Sequence, residues 1–285
     1  MPVVGLTDRP FVGRVAEREA LGAHIAAAQQ GRGRVMLVSG EPGVGKTRLV
    51  EEAVARVAPG RVLWGWCQEI EGAPAFWPWI QVLRAYIRTT PGERLCAELG
   101  DDAAELARLV PAVRTRCPRA APGHETLDPE AARFRLFDAV TMFLCTIASA
   151  GLLVVVLDDL HWADSESLLL LAFVARELHD QRLLVLCTYR ETELRQSRAG
   201  ARAFGDLARA SHCLTLTGLT AGDVGEYVLA ACDRAPEPES IQAILRATEG
   251  HSSSPRWSSF SVSEGSSTRR HLVPDTSTFQ PRCTR

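Results

Sequence analysis

The sequence predicts an α/β fold in which a central parallel sheet is covered by helices, with a small helical appendage toward the C-terminal end. Three observations carry this prediction. Short, continuously apolar runs occur at 35–38, 152–157 and 183–187, the pattern of parallel strands buried on both faces. Segments of helical period lie between them. Strands that alternate with helices form βαβ units and a parallel sheet. A chain of 285 residues is ample for such a core, since a domain averages roughly 150 residues.

The elements follow in order. Residues 1–8 read as an extension and 9–218 as the main domain. Residues 14–30 form a helix, because Leu21, Ile25 and Ala28 repeat on one face and Gly31 sits where a helix ends. The strand at 35–38 is broken by Ser39-Gly40, and a helix starts at Lys46 with Leu49, Val50, Ala53, Val54 and Val57 on one face. Pro59-Gly60 stops it. A strand at 62–66 and a helix at 79–88 follow. The stretch 91–130 is less regular: a helical piece at 102–110, then a Pro/Arg-rich surface excursion. Pro129 opens a helix to about residue 148, with Phe134, Phe137, Val140 and Leu144 facing inward. After the strand at 152–157, Asp164 or Ser165 caps a helix to 179. A strand at 183–188, a short helix near 203–210 and a strand at 213–216 complete the alternation. Two helices, 220–232 and 237–249, make the appendage. The tail, 251–285, holds ten serines and no alanine and reads as disordered; a change of reading frame near His251 is the other reading.

Composition removes several function classes. Apolar residues make up 46% and the net charge is −2, so bulk positive charge for nucleic-acid binding is missing. No apolar run approaches the roughly 18 residues of a membrane span, and the start of the chain has no secretory pattern. The eight cysteines contain no Cys-x-x-Cys, which signals neither zinc nor a thiol redox motif. Cys145 and Cys187 lie in apolar runs, and a reducing cytoplasm is the compartment this predicts.

Among 32 basic residues there is one lysine, Lys46. It lies in Gly40-Glu41-Pro42-Gly43-Val44-Gly45-Lys46-Thr47, which fits G-x-x-x-x-G-K-[ST] with a strand before and a helix after. Glycines let backbone N–H groups wrap a polyphosphate at a helix N-terminus. An ammonium gives a compact charge for the outer phosphates. The Thr47 hydroxyl suits Mg²⁺. Gly40, Pro42, Gly43, Val44, Gly45, Lys46, Thr47 and Arg48 are therefore the predicted nucleotide contacts, and the fold class becomes the P-loop NTPase three-layer sandwich. Asp158 and Asp159 follow the most apolar strand, at the carboxyl edge where ligands of α/β sheets bind. Asp158 is the predicted Mg²⁺ partner of Thr47, and Asp159 the acid that polarises water. Arg190, just past the 183–188 strand, reaches the same edge as a reader of the γ-phosphate. His161 is a conceivable base, but its first reading is a residue that shapes the loop. The tryptophans at 64, 66, 77 and 79 read first as packing.

These segments, with Phe11-Val12-Gly13-Arg14, Phe76-Trp77-Pro78-Trp79, the run 153–164 (LVVVLDDLHWAD) and Cys187-Thr188-Tyr189-Arg190, resemble the AAA-type ATPase domain of STAND regulators, found in large LuxR-type transcriptional regulators and beside adenylate cyclase domains. The resemblance spans roughly 9–250. It implies ATP binding and slow Mg²⁺-dependent hydrolysis used as a switch, with Val12, Gly13 and Arg14 at the nucleotide base and Lys46, Asp159 and Arg190 at the reaction. It also implies ATP or ADP as ligand, with a protein partner or self-association; the near-neutral charge and the lack of a membrane-length apolar run predict no direct contact with nucleic acid or membrane. In the family Thr-Glu-Gly usually continues as Asn-Pro-Phe; here Thr248-Glu249-Gly250 runs into His251-Ser252-Ser253, which suggests a shortened form. The alternatives are a nucleotide-gated scaffold with little hydrolysis, a DNA-binding regulator, and a P-loop kinase or transferase.

Overall fold

In a computed structural model of the chain, the residues described are 11–58, 60–69, 74–118, 128–196, 204–205, 207–209, 211–232, 235–248, 260–263 and 271–274. Residues 16–40 and 46–215 form one compact unit; residues to 15, 41–45 and those from 216 onward form a second.

The first unit is built on a five-stranded sheet of β1 (Arg34–Gly40), β2 (Val62–Trp66), β3 (Leu153–Asp158), β4 (Leu183–Tyr189) and β5 (His212–Leu216), in the order β2-β3-β4-β1-β5. The pairs β1–β4, β2–β3 and β3–β4 are parallel. Every residue of β3 and β4 is buried, which is why these two runs carry no polar alternation. The register places Leu157 beside Cys187 and Trp66 beside Asp158. Thus β4 lies between β1, which leads into the glycine-rich loop, and β3, which ends in Asp158.

Helices α1 (Val15–Gln29), α2 (Lys46–Val54), α3 (Trp77–Thr89), α4 (Gly92–Leu99), α5 (Ala103–Leu109), α6 (Ala112–Arg116), α7 (Pro129–Ser149), α8 (Ser165–Glu177) and α9 (Glu191–Gln196) belong to this unit. Helix α2 packs on β1 and β4, α3 on β2, and α7 on β3 and β4. The predicted caps hold: Pro129 is in the first turn of α7 behind Asp128, whose carboxylate accepts from Glu130 N at 3.0 Å. Asp164 caps α8, accepting from Ser167 N at 2.9 Å. The indole of Trp79 is fully buried and donates to the Ser167 carbonyl at 3.1 Å. The packing reading thus holds for Trp79, whereas Trp66 is 46% exposed.

Several expectations are corrected. The 91–130 stretch is more helical than predicted: Pro91 precedes α4, whose Leu95 and Leu99 are buried one turn apart, and α6 lies within the Pro/Arg-rich run. Pro91 sits between the end of α3 at Thr89 and the start of α4 at Gly92, so it stops one helix and precedes the next. Residues 119–127 fall outside the described set. Helix α9 was not anticipated; its short apolar-poor run has no helical period. Phe134, expected inside, is 60% exposed and meets Phe173 edge-on at 5.6 Å, while Phe137, Val140 and Leu144 are buried. Cys96 and Cys117 form a disulfide, with Cα atoms 5.5 Å apart. That bond runs against the expectation of a reducing compartment; the two cysteines meet because α4 and the end of α6 converge.

The second unit has its own small core of Leu219, just before helix Ala221–Cys232, with Val224 and Val228 of that helix and Ile244 of helix Pro238–Thr248. The tail, expected without order, contains a two-stranded antiparallel pair, Phe260–Ser263 with His271–Pro274. Phe260-Ser261-Val262-Ser263 alternates apolar and polar residues, a strand period hidden by the serine content. The rest of 251–285 lies outside the described residues. Among the described residues no helix is long and apolar enough to cross a membrane.

Candidate functional site

Residues 41–45 connect the end of β1 to the start of α2. Gly43 and Gly45 have φ of 79° and 99°, a left-handed backbone that glycine adopts without strain. Lys46 opens α2, is only 6% exposed, and donates from Nζ to the Gly40 carbonyl at 2.9 Å. A cation this buried needs acceptors around it.

Across the sheet, Thr47 meets Asp158. Its hydroxyl lies 3.0 Å from Oδ1 and 3.1 Å from Oδ2. The two residues are 111 positions apart in the chain. Asp158 is the last residue of β3 and is 6% exposed. Burial pushes its carboxyl up, as does neighbouring Asp159, while hydrogen bonds from Thr188 and Thr47 and the charge of Lys46 hold it down.

Thr188 organises the acidic pair. It is fully buried near the end of β4. Its hydroxyl donates to Asp158 Oδ1 at 2.6 Å and accepts from Asp159 N at 2.9 Å. This one side chain therefore uses both its donor and an acceptor on consecutive residues. Sequence reasoning named Thr188 only as part of a strand end; an aliphatic hydroxyl in an apolar strand, two residues before Arg190, was the available signal.

Asp159 has φ 57° and ψ 48°, a left-handed conformation that Asp tolerates better than most residues. Its side chain is 37% exposed and lies 3.9 Å from His161 Nδ1. The imidazole of His161 is fully buried, and neither ring nitrogen makes a hydrogen bond. Burial lowers its basicity, against the pull of Asp159 and Glu193. Its Nε2 lies 3.1 Å from Glu193 Oε2, ion-pair distance without hydrogen-bond alignment. The other Glu193 oxygen accepts from Arg190 Nη1 at 2.8 Å. That bond holds the Glu193 carboxyl low, with His161 and Lys46 adding to it. Sequence reasoning missed Glu193, because it stands on the unanticipated α9; an acid three residues after Arg190 was the trace it left.

In the second unit, Arg14 links two predicted segments. Its Nη2 donates to the Val44 carbonyl at 3.2 Å and to the Thr217 carbonyl. Gly13 has φ 64°, and a Cβ there would overlap the Asp223 carboxylate. Only glycine fits that position. Val12 is half-buried beside it. Val44 is buried, and its N–H donates to the Glu41 carbonyl at 3.3 Å. Pro42 is exposed in the same turn. Arg48, the last of the predicted contacts, lies 3.6 Å from Glu51 on its own helix.

The donor set suits Mg²⁺. A hydroxyl and a carboxylate are hard oxygen ligands, and magnesium commonly takes one or two such groups and fills the rest with water and phosphate. Among the described residues no group of three or more His, Cys, Asp or Glu side chains could hold a metal.

Residues 10–186 match the family described as AAA ATPase domain. Among curated protein sequences none matches this chain. Two solved structures are similar. One is a signal transduction ATPase with numerous domains (STAND) protein with a tetratricopeptide repeat sensor from Pyrococcus horikoshii, at 14% identity and a TM-score of 0.50, covering 86% of this chain and 29% of that one. The other is the ORC2 protein of Aeropyrum pernix in ADPNP and ADP complexes, at 17% identity and a TM-score of 0.52, covering 88% of this chain and 62% of that one. The chain thus spans less than two thirds of either. Both likenesses support the same fold, the P-loop NTPase α/β architecture.

Proposed function

This chain belongs to the AAA ATPase domain family, and on that premise we propose that it is a regulatory module that binds ATP with Mg²⁺ and hydrolyses it slowly to ADP and phosphate. The observation that carries the reading is the meeting of Thr47 with Asp158 at 3.0 Å beside the buried Lys46. Lys46, Thr47 and Asp158 lie in one compact unit, and Thr47 and Asp158 come from positions 111 residues apart, which supports reading them as a phosphate and metal site.

Each residue has a role in this reading. Lys46 neutralises the outer phosphate oxygens as a point charge. Backbone N–H groups of 40–47 and the start of α2 receive the phosphates. Thr47 and Asp158 hold Mg²⁺, which neutralises charge across the phosphates. Asp159 orients the attacking water, and Arg190 reads the γ-phosphate. Val12, Gly13 and Arg14 contact the base; the Arg14 bond to Val44 is what supports tying that segment to the glycine-rich loop. Catalysis is then positioning and charge stabilisation.

The regulatory part of the proposal rests on the sequence resemblance to STAND regulators of the LuxR type. The chain would act through a protein partner or self-association, with no direct contact to nucleic acid, in keeping with its net charge of −2. Lys46→Ala should abolish nucleotide affinity; a titration with unchanged affinity overturns the site. Single-turnover hydrolysis with Asp159→Asn as the control separates a slow ATPase from a scaffold: equal rates in both proteins favour the scaffold.

A further inference from the structure

The side chains that the ATPase reading assigns to the γ-phosphate are not left open to it. Arg190 Nη1 donates to Glu193 Oε1 at 2.8 Å. The pair is three residues apart, where the end of β4 turns into α9. The second carboxylate oxygen faces His161 Nε2 at 3.1 Å. His161 itself stands two residues after Asp159, whose Oδ1 is 3.9 Å from Nδ1. A continuous row therefore joins the water-orienting acid to the phosphate-reading arginine: Asp159, His161, Glu193, Arg190. Lys46 is close enough to act electrostatically on both His161 and Glu193.

We propose that Glu193 is a positioning and specificity-determining residue: it holds the Arg190 guanidinium in competition with the γ-phosphate, and so sets how strongly the site prefers ATP to ADP. The proposal rests on the ATPase reading above. Its physical basis is that one guanidinium has two candidate anions. In the free protein the carboxylate three residues away holds it, with the geometry of a charge-assisted bond. A nucleoside triphosphate offers a second anion, and must take Arg190 from the first. A diphosphate lacks that group and leaves the pair untouched. The affinity for ATP alone is then reduced by the fraction of molecules in which Arg190 is already engaged.

His161 fixes the other side of Glu193. Its ring is fully buried, so it cannot swing away to solvent when Arg190 moves. Release of Arg190 leaves Glu193 Oε1 without that donor, and His161 and Lys46 are the other side chains that act electrostatically on Glu193. The row is thus a physical link by which occupancy at the γ-phosphate reaches the α9 turn. None of the four side chains is fully exposed, and Arg190 and Glu193 are 28% and 34% exposed; a ligand can reach the pair without unfolding α9.

The test uses the full chain and Glu193→Gln, which keeps shape and removes the charge. Calorimetric titration would compare ADP with an ATP analogue whose γ-phosphate resists hydrolysis, both with Mg²⁺. The expected result is a gain of roughly threefold to tenfold for the analogue, with ADP unchanged within about twofold. In an Arg190→Ala background the same substitution should change neither ligand. Equal shifts for both ligands, no shift in their ratio, or a gain that survives Arg190→Ala would overturn the proposal while leaving ATP binding in place. Failure of the unmodified chain to bind either ligand would overturn the ATPase reading, and this inference with it. Should Glu193→Gln fail to fold, Glu193→Asp, which retracts the charge, should raise the ratio in the same direction, and an unchanged ratio there would likewise overturn the proposal.

Discussion

Replacing Thr188 by valine would test how the acidic pair is held. The side chains are nearly the same size, so no cavity opens in β4. What is lost is one hydroxyl with two duties: it donates to Asp158 Oδ1 at 2.6 Å and accepts from Asp159 N at 2.9 Å. A hydrogen bond to a charged group contributes about 1.5–3 kcal/mol, and a buried donor left without an acceptor costs about 1–3 kcal/mol. Asp159 is half-buried, so water recovers part of the second loss, and the net should be about 2–4 kcal/mol near pH 7. The sign with pH follows from Asp158. Its carboxyl is pushed up, chiefly by burial. The stabilising contribution of a raised carboxyl is fully present below its unfolded value of about 3.9, and is lost as pH rises through the folded value. The Thr188 bond limits that loss; Thr188→Val enlarges it. The variant should therefore be weaker than the parent by more near pH 7 than near about pH 4. Urea unfolding at the two pH values measures this, with unchanged m-values as the check on comparability. A deficit under about 0.5 kcal/mol at neutral pH, or one that grows toward acid, would refute the reasoning. Thr188→Ser should restore most of the loss.

Three further outcomes follow from other contacts. Asp158→Asn should remove the Mg²⁺-dependent part of nucleotide affinity, yet raise thermal stability, because a buried charge is replaced by a neutral group; calorimetric titration with and without Mg²⁺, together with a melting curve, measures both. Gly65→Ala should destabilise by about 1–3 kcal/mol, because its Cβ would run into the Pro78 carbonyl where α3 crosses β2; a urea midpoint equal to the parent would contradict that packing. Arg34 lies 3.3 Å from both His24 Nδ1 and His212 Nε2, and His24 is held below its ordinary value by burial first, then by His212 and Arg34. A depressed histidine contributes stability that is present above about pH 6.5 and lost as pH falls through its folded value. The melting temperature should drop on acidification, and His24→Gln should flatten that slope.

The central strands were legible because their chemistry is local. A run such as 152–157 has no polar alternation, and only a strand covered on both faces accommodates that. The glycine-rich loop was legible for the same reason: Gly43 and Gly45 take positive φ, and the run fits a recurrent strand-loop-helix pattern of fixed spacing. Asp164 announced the start of α8, and Pro129 that of α7, because capping is settled by a few neighbouring residues. Helix α4 beyond Pro91 was not legible, since proline serves both a helix end and a helix start. Phe134 was placed inside on period alone, although it stands where α7 leaves part of its apolar face uncovered.

The residue types at the candidate site were written in the chain, from Lys46 and Thr47 to Asp158, Asp159 and Arg190. Their partnerships were not. Thr47 and Asp158 are 111 positions apart, and strand order alone, with β4 between β1 and β3, brings Thr188 between the acids. The row from His161 to Glu193 and Arg190 likewise exists only once β3 and β4 lie side by side and α9 turns back. Local sequence settles what each backbone segment can be, because propensity and capping act over a few residues. Which charges face each other is settled by packing, because Coulomb and hydrogen-bond energies depend on distances that only the folded sheet defines.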